Sequence, residues 1–299
     1  MDQNYQAGEG IFFEPPVKKN ASYYRALARE RLKGNFWMPT LITLIAQGIP
    51  SMIYSLLASP VIVVMYLPIY FPDLEIPTGV SIGATLAILL ISLIVYTLIG
   101  SPLLVGLYRA FLQVVDGEKP TPAVLFSRFR ESYGKVARTY LLYFAATLLS
   151  TVPLFLCVVP LTVQSLHPLI AISLALILYA VGAFLLMRTA LTYTFVFAIR
   201  AEYPEIGALD AMRNARMLMK GNRWKLFWLT MSFMGWIFLL ILATVVTCGI
   251  GALGFYPLMT YIQTAFLLFY HDISQRGAAK ETEFPSLNPE DYDPNQAQW

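Results

Sequence analysis

Six long apolar stretches follow one another along the chain, each separated from the next by a shorter break. A membrane-spanning helix needs about 20 consecutive, mainly apolar residues, and every stretch reaches that length. The pattern therefore predicts an all-α protein, a polytopic membrane helix bundle with six transmembrane helices. The first two stretches are longer than one straight span requires, so we expect tilting, kinks at proline, or extra re-entrant or interfacial helices there. The stretches are 36–71, 80–115, 140–163, 168–199, 226–247 and 250–270.

Lysine and arginine side chains are confined to alternate connections between these stretches. All 21 fall in the N-terminal segment, in the links after the second and fourth stretches, or in the C-terminal tail, when Arg109 and Arg188 are counted with the links that follow them. The other connections, 72–79, 164–167 and 248–249, contain none. Because cytoplasmic loops carry the excess of these cations, we expect both termini on the cytoplasmic side of a plasma membrane.

Part of the sequence recurs before successive pairs of stretches. Residues 28–37 and 215–224 are identical at six of ten positions, including Lys-Gly-Asn-x-Trp, and a weaker copy surrounds Gly134. The far arms of the first and third pairs match as well, with Pro-Leu at Pro102 and Pro257, each followed by Ala-Phe-Leu. All copies enter from the same side, which predicts three parallel hairpin repeats. The predicted division is a flexible N-terminus 1–20, a six-span membrane domain 21–275 with repeat units 21–115, 121–200 and 204–275, and an acidic flexible tail 276–299.

Each hairpin is predicted to follow a basic amphipathic helix that lies in the membrane interface. In the first unit Arg25, Arg29 and Lys33 recur every four residues, beside a less polar stripe of Tyr24, Ala28 and Leu32. We expect the less polar stripe to face the acyl boundary and the cations to face anionic headgroups. The glycine then lets the chain turn into the span, and the tryptophan lies at headgroup depth. In the middle unit three aromatic residues fall at helical spacing, namely Phe126, Phe129 and Tyr133.

Two interpretations of the repeated basic helix remain open at this point. Basic interfacial helices are generic membrane anchors, so orientation of the hairpins alone explains the cations. A specific headgroup or partner site is the alternative, and it is favoured by the asparagine, which anchoring alone does not need. The residues expected to contact lipid headgroups are Arg25, Arg29, Lys33, Asn35, Trp37, Arg216, Lys220, Asn222 and Trp224.

Composition narrows the class of protein further. Hydrophobic residues make up 57% of the chain and charged residues 13%, whereas soluble domains average about 45–50% and about 25%. An ordinary soluble enzyme and a disordered chain are both excluded, since neither tolerates this balance. The net charge of +3 is too small, and its cations too dispersed, for a nucleic-acid partner.

Candidate chemistry inside the spans is sparse. Arg188 follows twenty apolar residues, so it either reaches the inner interface by extending its side chain or lies deep in the bilayer as a polar site. No aspartate or glutamate falls inside a predicted span, which disfavours a proton- or sodium-coupled mechanism. His167 and His271 fall at opposite ends of their spans, and Gly249-x-Gly251-x-x-Gly254 lacks the strand that a dinucleotide site needs. We therefore expect no catalytic, cofactor or metal site.

A family resemblance is carried by residues 217–227, followed by Gly-Ile-Gly at 249–251 and Tyr-Pro at 256–257. These segments resemble a family of uncharacterised bacterial integral membrane proteins that is defined only as a domain of unknown function. The resemblance is strongest over 204–272 and extends over 22–272. It implies a six-span bacterial membrane protein and assigns no catalytic residue. The same segments are more distantly similar to the membrane domain fused to some glycerophosphodiester phosphodiesterases, whose catalytic domain does not fit in the short polar segments here.

Three functional hypotheses follow. The first is a non-enzymatic bacterial plasma-membrane protein that acts through anionic lipids, a protein partner or self-association, as an accessory to transport or envelope homeostasis. The second is a transporter or channel for a small molecule or lipid, with a cavity near Arg188. The third, an intramembrane enzyme acting on lipid, has the least support, because no nucleophile or acid–base constellation is present.

Overall fold

The computed structural model describes residues 19–71, 77–130, 133–162 and 167–283. Regular structure within these ranges is helical, and no β-strand occurs in them. A π-helical turn joins the third and fourth helices, and a 3-10 turn leads into the last. The helices are α1 (Ala21–Leu32), α2 (Trp37–Tyr70), α3 (Thr78–Val95), α4 (Ser101–Asp116), α5 (Pro122–Arg130), α6 (Tyr133–Leu156), α7 (Val159–Thr162), α8 (Pro168–Tyr193), α9 (Val196–Glu202), α10 (Ala208–Leu218), α11 (Arg223–Met231), α12 (Met234–Val246) and α13 (Phe255–Glu283).

Six helical segments in the described part of the chain are long and apolar enough to cross a membrane. They pair into three hairpins, whose second arms are α3–α4, α8–α9 and α13. The all-α bundle of six transmembrane helices is therefore confirmed. The helix α13 continues to Glu283, so residues 276–283 of the expected tail are helical. The division into domains and repeat units stays a prediction, and residues 1–18 and 284–299 lie outside the described ranges. The candidate spans are Trp37–Val64, Gly79–Asp116, Tyr133–Leu156, Pro168–Glu202, Arg223–Val246 and Ile250–Ser274.

Prolines interrupt the helix in one of the two long apolar stretches and not in the other. α2 remains one helix through Pro50 and Pro60. In the second stretch the helix changes to a π turn over Tyr96–Gly100, immediately before Pro102. Proline has no amide hydrogen, so it cannot bond the carbonyl four residues earlier, which here belongs to Leu98. That carbonyl instead accepts the hydroxyl of Tyr133 at 3.0 Å, which ties the start of the second hairpin to the kink in the first.

The second arms of the three hairpins form the centre of the core. α4 packs against both α9 and α13. Leu107 and Phe111 of α4 are buried there. The ring of Phe195, the residue before α9, lies 6.2 Å from the Phe269 ring of α13. The core is therefore built from segments far apart in sequence, one from each hairpin.

The helix that leads each hairpin packs against the second arm of the hairpin before it. α5 contacts α4, α10 contacts α9 and α6, and α1 closes the circle on α13. The approach of α5 is so close that a Cβ on Gly106 of α4 would lie 2.2 Å from the carbonyl oxygen of Leu125. Only glycine fits at this crossing, since a contact that short displaces one of the two backbones.

This packing corrects the expected orientation of the leading helices. Tyr24, Ala28 and Leu32 are all buried by protein, so they do not face the acyl boundary. On α10 the equivalent positions Ala215 and Met219 are buried as well. These less polar stripes form helix–helix contacts within the bundle, a role for which the same apolar character is needed.

The hairpin ends away from this core expose apolar side chains over most of their surface. Within α12, all of whose residues are described, no residue is buried. Leu56 of α2 and Val245 of α12 are examples, with 72% and 71% of their surface exposed. Contiguous apolar surface of this extent marks a membrane-facing or binding region. These faces are the part of the molecule that fits a lipid environment.

Candidate functional site

The Lys-Gly-Asn turn has the same backbone geometry in its two well-matched copies. Gly34 and Gly221 have φ of 86° and 85°, a left-handed conformation that a residue with a Cβ adopts only at a cost. In each copy the asparagine amide donates to the carbonyl three residues earlier, at 3.2 Å for both Asn35 and Asn222. The side-chain amide of Asn222 also donates to the Leu218 carbonyl at 3.2 Å, which satisfies an orphan acceptor at the end of α10.

The middle copy differs from the other two. Gly134 lies inside α6, which begins at Tyr133, and it does not have a positive φ. The chain has thus already entered the helix before the glycine, and the expected glycine break is wrong for this unit. The connection itself, residues 131–132, lies outside the described ranges. In the leading helix α5 the rings of Phe126 and Phe129 are exposed, as a stripe facing the acyl boundary requires, but Arg128 is buried instead of facing headgroups.

The tryptophan of each turn faces away from the protein. Trp37 and Trp224 have 77% and 63% of their surface exposed. Trp224 stacks on Phe227 with ring centroids 4.8 Å apart and meets Trp228 edge-on at 6.2 Å. Exposed tryptophans beside cations are typical of side chains at a membrane–water boundary.

A cleft of about 640 Å³ opens between α1, α12 and α13. It brings together three of the residues expected to contact headgroups, Arg25, Arg29 and Lys33. Asn35 and Trp37 lie nearby in sequence but are not in its lining. Arg216 and Lys220 are exposed, and neither belongs to the lining of this cleft. The remaining lining residues are Ser22, Leu32, Phe36, Trp236, Pro257, Leu258 and Tyr261.

Contacts along α13 fix α1 beside the cleft. The Tyr24 hydroxyl donates to the Asp272 carboxylate at 2.8 Å, and Lys19 forms an ion pair with the same carboxylate. Farther along α13, the Tyr261 hydroxyl donates to the Arg25 carbonyl at 3.0 Å. The helix α1 therefore lies antiparallel to α13, and its basic stripe forms one wall of the cleft.

The electrostatics of the cleft are one-sided. Its lining contains three cations, and no aspartate or glutamate among the described residues contributes to it. Arg25 is held by a hydrogen bond from its Nη1 to the Ser232 carbonyl at 3.2 Å. Its Nε is buried and has no hydrogen-bond partner among the described residues. A cationic concavity with an incomplete hydrogen-bond shell attracts an anion.

A second charged cluster closes the end of α9. The buried Arg128 donates to the Ala201 carbonyl at 2.8 Å, and the buried Arg200 donates to the Ile206 carbonyl. Lys135, near the start of the candidate span Tyr133–Leu156, forms an ion pair at 2.8 Å with Glu205, which lies outside the spans. The hydrogen bond from Lys135, and then its charge, lower the pKa of the Glu205 carboxyl, while the charge of Glu202 raises the pKa of the Tyr203 hydroxyl. The two arginines donate hydrogen bonds to backbone carbonyls at and after the end of α9, which is a structural role.

Arg188 is exposed on the surface of α8. It lies about 30 Å from the start of that helix at Pro168, by the rise of 1.5 Å per residue, which is the thickness of a bilayer core. It is not part of the lining of the 640 Å³ cleft. A cavity of about 400 Å³ where the three hairpins meet does not include it either. Among the described residues no group of three or more potential metal ligands lies together.

Several residues of these sites could not be predicted from the sequence. Trp236, Pro257 and Tyr261 belong to the third hairpin, more than 200 positions from the basic stripe that they face. The only sequence signal was the recurring Pro-Leu at Pro102 and Pro257, which marks equivalent positions without indicating what they contact. The sequence does not indicate that Arg200 is buried, because Arg200 resembles the other arginines and lysines in the connection between the fourth and fifth stretches.

Comparison with known protein families gives a match over most of the chain. The model of the family described as "Protein of unknown function (DUF975)" matches residues 19–277. No curated protein and no solved structure matches the chain significantly. The matched range covers all six candidate spans together with α1, α5 and α10. The chain therefore belongs to the DUF975 family of proteins of unknown function.

Proposed function

We propose that this chain is a bacterial plasma-membrane protein without catalytic activity that binds anionic lipids, as an accessory to transport or envelope homeostasis. Both termini lie in the cytoplasm, and the exposed cations that end two of the leading helices, Lys33 and Lys220, face the inner leaflet. The distribution of lysine and arginine supports this orientation, because the connections on the opposite side contain none. A protein partner or a second copy of the chain is the other contact that these surfaces suit.

The observation that carries the proposal is the pairing of an outward tryptophan with a cation at two separate turns. Trp37 and Trp224 follow Lys33 and Lys220 by four residues, and both tryptophans are largely exposed. Tryptophan prefers the headgroup region, and each cation near an anionic leaflet contributes about 1 kcal/mol. The same arrangement at the two turns supports a parallel repeat of the first and third hairpins.

Stability in different lipids tests the proposal. The full chain is reconstituted in nanodiscs of phosphatidylcholine with or without phosphatidylglycerol, and unfolding is followed by tryptophan fluorescence. A ligand that binds the folded state raises the melting temperature, so we expect a higher value with phosphatidylglycerol. Equal melting temperatures in both lipids contradict lipid binding. Reporter fusions after Trp299 and within 72–79 test the threading, which is refuted if both report the same side.

A transporter or channel is the second candidate, and one cavity favours it. About 400 Å³ of space lies where the three hairpins meet, and its lining includes the polar side chains of Gln47, Ser51 and Tyr140. Because Arg188 is not in this lining, the test compares cysteines placed at 47 and 188. Transport through the cavity requires that a membrane-impermeant thiol reagent reaches position 47. Protection of position 47 from both sides of the membrane removes this candidate.

A further inference from the structure

We propose that the cleft between α1, α12 and α13 is a binding site for one anionic phospholipid, whose phosphate lies beside Arg25, Arg29 and Lys33. The inference deepens the function proposed above and rests on it, because it requires this part of the protein to lie at a lipid boundary. It goes further in assigning one bounded site, one headgroup charge and one orientation of the lipid.

The charges of the cleft specify the headgroup. Three cations line it and no carboxylate from the described residues balances them. The planar guanidinium groups of Arg25 and Arg29 present forked donors that match phosphate oxygens. Arg25 is already oriented by its bond to the Ser232 carbonyl, so less conformational entropy is lost when an anion binds. A zwitterionic headgroup adds a cation to a surface that lacks carboxylates and is therefore disfavoured.

The opposite wall of the cleft specifies the apolar part of the ligand. Phe36, Trp236 and Leu258 line it, and the surface continues onto α12, where no residue is buried. A volume of about 640 Å³ lies within the ~300–1,000 Å³ of small-molecule sites. It suits the phosphate and glycerol region, while the acyl chains extend along α12. A free phosphate would leave this apolar wall uncovered.

The cleft lies at the level where the chain turns into α2, because Lys33 and Phe36 line it together with Pro257 and Leu258. Trp37 follows this turn and is largely exposed, which places the cleft cations at headgroup depth in the function proposed above. A lipid phosphate in the cleft supplies the counter-charge that the described protein residues do not.

Native mass spectrometry of the full chain in non-ionic detergent tests the site. The chain is titrated with dioleoyl phosphatidylglycerol, dioleoyl phosphatidylcholine or glycerol 3-phosphate. Wild type is expected to retain one phosphatidylglycerol in preference to the other two. Arg29→Gln/Lys33→Gln removes two cleft cations, which lowers affinity on the order of 30-fold at ~1 kcal/mol each. The matched control, Arg31→Gln/Lys119→Gln, removes the same charge from exposed positions outside the cleft and is expected to stay within about twofold of wild type.

A third variant separates shape from charge. Leu258→Trp fills the cleft without changing its charge and is expected to lower phosphatidylglycerol affinity at least fivefold; if it does not fold, Leu258→Phe replaces it. Circular dichroism and melting temperature check that each variant is folded. Equal loss in the two double variants overturns the cleft and leaves a diffuse basic surface, so the proposed function survives. Unchanged affinity in the filled variant, or equal binding of glycerol 3-phosphate, also overturns the site. No preference for phosphatidylglycerol in wild type overturns both proposals.

Discussion

The crossing of α4 and α5 gives the sharpest prediction of stability. In Gly106→Ala the new methyl group would lie 2.2 Å from the Leu125 carbonyl oxygen and 2.8 Å from its carbon. Both atoms belong to the backbone of α5, so no side-chain rotation relieves the contact. The helix α5 must move outward, which loosens the packing of the fully buried Leu125 and the hydrogen bond from Arg128 to the Ala201 carbonyl.

The expected magnitude combines opposing effects. Overpacking of a tight core costs about 1–3 kcal/mol, and partial exposure of a leucine costs up to about 1.5–3 kcal/mol more. Replacing a helical glycine with alanine returns about 1 kcal/mol through helix propensity. We therefore expect a net loss of about 2–4 kcal/mol in the free energy of unfolding.

The assay is thermal unfolding of the full chain in detergent, with Gly83→Ala as the matched control. Gly83 is also a helical glycine, but a Cβ there meets nothing within 4 Å. The control is expected to be as stable as wild type or slightly more stable, because only the propensity gain remains. If Gly106→Ala unfolds at the same temperature as Gly83→Ala, the inferred close approach of α5 is refuted.

Three further predictions concern other contacts. Gly34→Ala forces a left-handed φ on alanine and is expected to cost about 1–2 kcal/mol in unfolding measurements; a neutral result contradicts the turn geometry. Tyr24→Phe removes a hydrogen bond to the Asp272 carboxylate and is expected to cost about 1.5–3 kcal/mol, and the loss should vanish in an Asp272→Ala background, where no acceptor remains. The lowered pKa of Glu205 means that its pairing with Lys135 stabilises the fold above the ordinary pKa of glutamate. The stability difference between wild type and Glu205→Gln should therefore disappear as pH falls through the lowered pKa, and a difference that grows on acidification contradicts the ion pair.

Span number and the glycine turn were accessible from sequence because both are local properties. The length of an apolar run shows directly whether it can span a membrane. The repeat places a glycine before Trp37 and Trp224, where the chain must turn. The middle unit was harder, since its weak copy around Gly134 matched in composition but not in backbone conformation. Local patterns therefore predicted the elements where the repeat was strong.

The sequence did not show which segment packs against each helix face. The stripe of Tyr24, Ala28 and Leu32 is apolar enough for lipid and for protein, and only the tertiary structure shows that α13 covers it. Arg200 follows the sidedness rule for cations, yet that rule counts charges by side and carries no information on burial. The cleft joins α1 to Trp236 and Leu258, a contact between distant segments that no local pattern specifies.

Closure of α1 onto α13 has a consequence for biosynthesis. The ribosome delivers α1 first and α13 last, so α1 has no native partner while the first two hairpins enter the membrane. During that interval α1 can bind at the bilayer surface through its basic and less polar stripes, which is the location that its sequence predicts. Docking on α13 then buries the less polar stripe and completes the cleft. The folded ring is thus sealed only when the final span has been made, and a nascent chain that stops before α13 leaves Tyr24, Ala28 and Leu32 uncovered.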